Sequence, residues 1–149
     1  MKDYIFGTSD HWEGLILRIT AGGIMLPHGL QKLLGAFGGY GFANTVHYFT
    51  QTMKLPWIVA VMVILIESLG AGLLILGAFS RVWAVAFIAI MIAAIITTNG
   101  RHGLFMNWYN SQSGEGFEYH MLVIGLCLAL LLTGSGRYSV DGYLNSWVH

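Results

Sequence analysis

Long apolar stretches separated by short polar ones set the pattern of this chain, and four of them, residues 15–34, 56–79, 82–98 and 117–133, are read as membrane-spanning helices. Within 56–79 the only ionisable side chain is Glu67. A carboxylate near the middle of a spanning helix costs about 2.5–3.5 kcal/mol on insertion scales, so it is expected to face protein, water or a cation rather than lipid. The face that carries it reads Ala60, Val63, Glu67, Gly70, Leu74, Gly77, in steps of three and four, and its small residues allow a second helix to approach closely.

The first span offers a matching face of Arg18, Gly22, Met25, Gly29 and Lys32, with His28 one turn before Lys32. Lipid would not tolerate that side, so the two seams are expected to pair antiparallel. At ~1.5 Å per residue Glu67 lies about 17 Å from Pro56, and Arg18 about 5 Å inside the opposite boundary. Arg18 is therefore the expected partner of Glu67, the alternative being that it snorkels to the headgroups. His28 and Lys32 then fall toward the other face of the membrane.

The connections carry their own signals. Residues 35–41 are rich in glycine but lack the strand and helix that flank a phosphate loop, so a turn is expected. Phe42, Val46, Phe49 and Met53 recur at helical spacing, predicting a short amphipathic helix at the membrane surface that ends before Pro56 and covers an opening between the first two spans. Residues 77–81 leave room only for a tight antiparallel hairpin. The third span, with Ala84, Ala86, Ala89, Ala93 and Ala94, reads as packing. Two crossings separate the polar, aromatic loop 99–119 from the first connection, so both lie on one side. His28, Lys32, His102, Glu118 and His120 are expected to converge there at one mouth, beneath rings that suit a planar apolar head group. At the other end Gly134 and Gly136 stop the last helix, and Ser139 and Asp141 are expected to cap a following turn locally.

Composition narrows the class. Of 149 residues 56% are hydrophobic and 9% charged, with zero formal net charge, far less charge than a soluble domain carries. The reading is a single all-α domain: a polytopic membrane protein, an antiparallel bundle of four transmembrane helices with a short interfacial helix between the first two. Nothing suggests nucleic acid as a partner, and no basic run suggests an anionic-lipid anchor. The lone Cys127 reads as core, and no metal site is expected. Residues 2–14 are mixed polar and aromatic, with Tyr4 and Trp12 as interfacial rings. They do not form a cleavable signal, so the first span is expected to be retained. Lys2, Arg18, Arg81 and Arg137 face one side against Lys32, Lys54 and Arg101 on the other, which favours cytoplasmic termini.

Arg18 with Gly29-x-x-Lys32, Glu67 followed by Gly70, Gly72 and Leu76-Gly77, the Glu118 that opens the last span, and Gly134-x-Gly136-x-x-Ser139-x-Asp141 together resemble the DoxX family, from about Arg18 to Leu144. The resemblance implies a four-helix bundle in the bacterial inner membrane with both termini cytoplasmic, similar to the small membrane subunit of thiosulfate:quinone oxidoreductase. Quinone-coupled redox chemistry is implied with it. The family's polar positions fall on Arg18, Lys32, Glu67 and Glu118.

With no CxxC and no dinucleotide fingerprint, electrons would come from a redox partner protein, while this chain supplies a quinone slot and protonatable groups. Glu67, Glu118 and His120 are candidates for proton exchange, and Arg18, His28, Lys32, His102 and His120 for holding the ligand. Three other functions compete. A non-catalytic scaffold would use the charges only to specify helix pairing. Haem held by two of His28, His102 and His120 is a third reading, and a small-solute permease, requiring a homo-oligomer, a fourth.

Overall fold

The computed structural model describes Thr8 and residues 11–146; Lys2 and the expected interfacial ring of Tyr4 lie outside the described residues. The described residues form four long helices and two short ones, with no strand among them: α1 (Trp12–Leu34), α2 (Gly41–His47, extended by a π turn Tyr48–Thr52), α3 (Trp57–Leu76), α4 (Ser80–Thr97), α5 (Glu118–Thr133) and α6 (Val140–Ser146). The all-α expectation holds. Of these helices, α3 and α4 are each long and apolar enough to cross a membrane, and α5 is apolar but shorter.

Local chemistry explains the boundaries. α1 stops where Gly35 turns left-handed at φ 73° and returns its N–H to the Leu30 carbonyl. Extended Pro56 precedes α3, and Gly77, at φ 69°, ends it. Inside α3 the residues Ile66–Gly70 wind as a π turn that includes the acidic position. The predicted amphipathic helix is α2, which runs through Phe42, Val46 and Phe49.

The long helices alternate in direction. Along α1 the residues Arg18, Gly22 and Gly29 meet Ile75, then Ala71 and Ile75, then Glu67 of α3. The start of α4 meets the end of α5 where Arg81 Nε donates to the Leu131 carbonyl at 3.1 Å. Ala21 and Met25 of α1, Ala71 and Leu74 of α3, Ala84, Phe87 and Met91 of α4, and Val123, Cys127 and Leu130 of α5 form one core. The Cys127 expectation is met. Ile19 and Ile24 of α1, Leu65 and Leu69 of α3, Val85 and Ile92 of α4, and Leu128 and Leu132 of α5 point outward, an apolar exterior on all four long helices.

One end is tied by two buried charges. Arg18, 2% exposed, donates from Nε to the Ser135 carbonyl at 2.9 Å, from Nη2 to the carbonyls of Arg137 at 2.9 Å and Tyr138 at 2.8 Å, and from Nη1 to Ile75 in the last turn of α3. Asp141, 1% exposed, accepts from the backbone N–H groups of Phe79 at 2.7 Å and Ser80 at 2.9 Å and from the Ser135 hydroxyl at 2.5 Å. One expectation is corrected here. Asp141 does not cap its own turn. It caps the start of α4, where free N–H groups need an acceptor and Phe79 is held at φ 55°. Ser139 alone makes the local cap, accepting from Gly142 N–H at 3.0 Å. Trp12, expected as an interfacial ring, packs edge-on to Tyr138 with ring centroids 6.2 Å apart, and the Arg137 guanidinium lies 5.0 Å from its ring.

The α1–α3 seam is a backbone contact. A Cβ on Gly29 would fall on the Glu67 carbonyl and the Ser68 amide, and one on Gly22 would lie 2.7 Å from Ile75 Cγ1, whereas one on Gly23 would meet nothing within 4 Å. Gly29→Ala is accordingly expected to lose about 1–3 kcal/mol through forced separation of the helices. Gly23→Ala should be neutral or gain up to about 1 kcal/mol from helix propensity. Reversible unfolding in mixed detergent micelles measures both, and equal stabilities for the two variants would contradict the contact.

Candidate ligand cavity

Opposite the tied end, α3 and α4 part. They meet near their connecting turn, but the Trp57–Leu65 half of α3 stands off α4. Between them lies a cavity of about 770 Å³ that is bounded on a third side by Tyr48 and Phe49 of α2 and by Met53 just after it. Its α4 wall is Ala86, Ala89, Ile90, Ala93 and Ala94, and its α3 wall is Val59, Met62, Val63 and Ile66. Ala89 and Ala93 are exposed, so the cleft also opens sideways between the helices. α2 closes part of it, but the opening lies between α3 and α4, the second and third spans, and not between the first two as the sequence suggested.

Polar groups gather at the inner end. Glu67, 5% exposed, pairs with Lys32, and His28, Lys32, Glu67, Tyr119 and His120 all line the cavity. The rings of His28 and Tyr119 lie 5.7 Å apart by centroid, and those of Tyr119 and His120 5.4 Å apart at 82°. Three rings thus form a row from α1 to α5 beside the ion pair. Glu67 sits within the π turn, a distortion frequent at functional sites.

The expected Arg18–Glu67 pair does not form. Arg18 stands level with Ile75, eight residues or about 12 Å along α3 from Glu67, and the nearer helix-end carbonyls claim its guanidinium. Lys32 takes its place. Glu118 and His102 also stand apart from the other expected site residues. Glu118 Oε1 accepts from Met106 N–H and Trp108 Nε1, each at 2.9 Å, shaping the loop, and His102 contacts the Ser113 hydroxyl and the Arg101 guanidinium, each at 3.2 Å. Neither lines the cavity. Of the seven candidates, His28, Lys32, Glu67 and His120 come together; Arg18, His102 and Glu118 do not. Among the described residues no group of three metal-ligating side chains forms.

The chain was compared with known proteins. The family model described as DoxX matches residues 14–100. A Bacillus subtilis (strain 168) protein named "Putative oxidoreductase CatD" is 31% identical over 130 residues, 87% of this chain and 85% of its own length. The chain belongs to the DoxX family. "Inner membrane protein YphA" of Escherichia coli (strain K12) is 28% identical over 149 residues, covering 95% of this chain and 96% of that one. No solved structure matches.

In this DoxX protein the matched segment carries Arg18, Lys32 and Glu67, the seam and its ion pair, together with the α4 wall, while Tyr119 and His120 lie beyond it. The α4 wall is what the sequence reading missed. Two apolar stripes run along α4, one through Ala84, Phe87 and Met91 into the core and another through Ala86, Ala89 and Ala93 onto the cavity, and neither carries a polar residue. Glu115 and Asn99, held together by a 3.0 Å hydrogen bond at the rim, were likewise not singled out as site residues.

A double-mutant cycle tests the pairing. Lys32→Met alone leaves a buried carboxylate without its cation and is expected to cost about 3 kcal/mol, most of it recovered when Glu67→Gln is added. The coupling energy should be about 1–3 kcal/mol, while Arg18→Met with Glu67→Gln should be additive within about 0.5 kcal/mol. Detergent unfolding of the variants supplies the numbers, and coupling at Arg18 in place of Lys32 would contradict the register.

Proposed function

We infer that this DoxX protein is a four-span inner-membrane component of a quinone-linked oxidoreductase system, and that the cavity between α3 and α4 receives the quinone from the lipid. The supporting observation is the cavity itself: apolar walls and a lateral opening at one end, an ion pair and three polar rings at the other. A molecule that partitions into the bilayer and carries a compact polar head suits such a volume. The apolar exterior of the four long helices supports a bilayer around all of them, and the family with its oxidoreductase-named and inner-membrane-named relatives points the same way.

On this reading the chain supplies a binding site and protons, and a partner protein carrying a redox cofactor supplies or removes electrons. Reducing one quinone to its hydroquinone consumes two electrons and two protons. Transfer between Lys32 and Glu67 alone would deliver no proton, so the two that a quinone consumes would come from Lys32 and from His28 or His120, each then reprotonated from water. Lys32, with 27% of its side chain exposed against 6% for Glu67, stands on the wetter side of the pair and connects it to solvent. With both termini on the cytoplasmic side, the tied end would face the cytoplasm and this mouth the opposite leaflet.

Binding of ubiquinone-1 to the purified protein in lipid nanodiscs tests the inference. Ala93→Phe fills the cleft from an exposed position, so it should preserve folding yet weaken binding at least tenfold, or about 1.4 kcal/mol. Glu67→Gln should also weaken it. Wild-type protein that neither binds this probe nor retains quinone on purification would instead favour the non-catalytic anchor.

A further inference from the structure

Two hydrogen-bonding groups beside the ion pair lack good partners, and they are neighbours in sequence. The Tyr119 hydroxyl donates to the thioether sulfur of Met25 at 3.2 Å, a weak acceptor. His120 is only 9% exposed, lines the cavity, and its buried Nδ1 has no hydrogen-bond partner among the described residues. Buried polar groups in folded proteins are almost always satisfied, so a phenol left on a thioether marks a place where a ligand can supply what the protein does not, and an Nδ1 with no acceptor beside it favours the neutral tautomer whose proton is on Nε2. With Nδ1 enclosed, Nε2 is the nitrogen through which the ring can meet that ligand, and in the neutral tautomer that carries its proton there it is a donor.

We propose that Tyr119 and His120, opening α5, form the head-group clamp of the cavity, with the Tyr119 hydroxyl leaving the Met25 sulfur and both residues donating hydrogen bonds to carbonyl oxygen of an apolar ligand. This deepens the quinone reading and rests on it. The sequence spacing favours the clamp geometrically. Consecutive helical residues diverge by about 100°, so their side chains approach a planar head from two directions rather than competing for one lone pair. Tyr119 is held by ring contact with His28 on α1, and it keeps that contact when its hydroxyl is removed. The trade is favourable because a carbonyl oxygen is a better acceptor than a thioether, and Met25, 1% exposed within the core, needs no hydrogen bond when released. The clamp therefore discriminates by the presence of carbonyl oxygen, while the alanine wall of α4 accepts the hydrocarbon without regard to it.

The experiment compares menadione with 2-methylnaphthalene, the same bicyclic methylated skeleton without carbonyls, using full-length protein in nanodiscs. Wild type is expected to prefer menadione. Tyr119→Phe should weaken menadione about three- to tenfold, as for loss of one hydrogen bond, and leave 2-methylnaphthalene unchanged. The infrared carbonyl band of bound menadione should move to higher wavenumber in the same variant. His120→Phe should behave likewise, whereas His120→Gln, whose amide offers a donor at similar reach, should restore most of the affinity. If menadione binds both phenylalanine variants as it binds wild type, or if both ligands weaken together, the clamp is overturned and the quinone reading stands. If wild type does not bind menadione at all, the clamp and that reading fall together.

Discussion

The approach of Gly29 to the backbone of Glu67 and Ser68 governs the rest of the molecule. It is a contact that only a residue without a Cβ permits, and it holds α1 and α3 closer than side chains would allow. Once it is made, register follows without further choice. Gly22 must lie at Ala71 and Ile75, Arg18 must lie at the end of α3, and Lys32 is the one cation of α1 left within reach of the carboxylate. The glycines select the ion pair. Two cations were available on one helical face, and packing, rather than charge, decided between them.

The seams themselves were readable from the sequence because their cause is periodic: small and polar residues at steps of three and four cannot face lipid, so they face each other. Their relative height was not readable. Depth counted from span ends gives each residue a level, but it does not reveal where the backbones touch, and it overlooks competition for the guanidinium. Arg18 has four backbone carbonyls near it, and those close an end of the bundle that would otherwise be left unsatisfied. Glu118 and His102 escaped the expected cluster for a related reason. The 99–117 loop has N–H and hydroxyl groups of its own to satisfy, and side chains at its base turn toward them before they turn toward a cavity. The alanine wall was illegible because a core stripe and a cavity stripe on one apolar helix both lack polar residues; only the divergence of α3 from α4 separates them.

That divergence is itself a consequence of the tied end. Asp141 caps the first turn of α4, and Arg18 closes the last turn of α3, so the hairpin between those helices is clamped at its bend to the segment after α5. Helices fixed at one end and packed on different neighbours, α3 on α1 and α4 on α5, separate toward the other. Glycine on α1 and alanine on α4 sharpen the contrast: the first draws its neighbour in, and the second leaves a gap that no large side chain fills. The rigid end and the open end are two results of one arrangement.

The electrostatics of the open end constrain what it can hold. An isolated charge facing 770 Å³ of apolar space would carry a heavy desolvation cost, and Lys32 with Glu67 avoids it by presenting two charges that cancel. The other polar groups there, His28, Tyr119 and His120, can each be neutral. An inner end that offers hydrogen bonds without net charge, with Glu115 kept at the rim, discriminates against ions and favours uncharged molecules with local polarity. Oxidised quinone and reduced hydroquinone both meet that description, differing by protons and electrons together, so neither form would have to be expelled by charge repulsion when the other is made. If the proposed quinone is the ligand, a form whose charge changed with its oxidation state would unbalance the pair, so under that proposal the cancellation between Lys32 and Glu67 favours coupled proton and electron transfer over electron transfer alone.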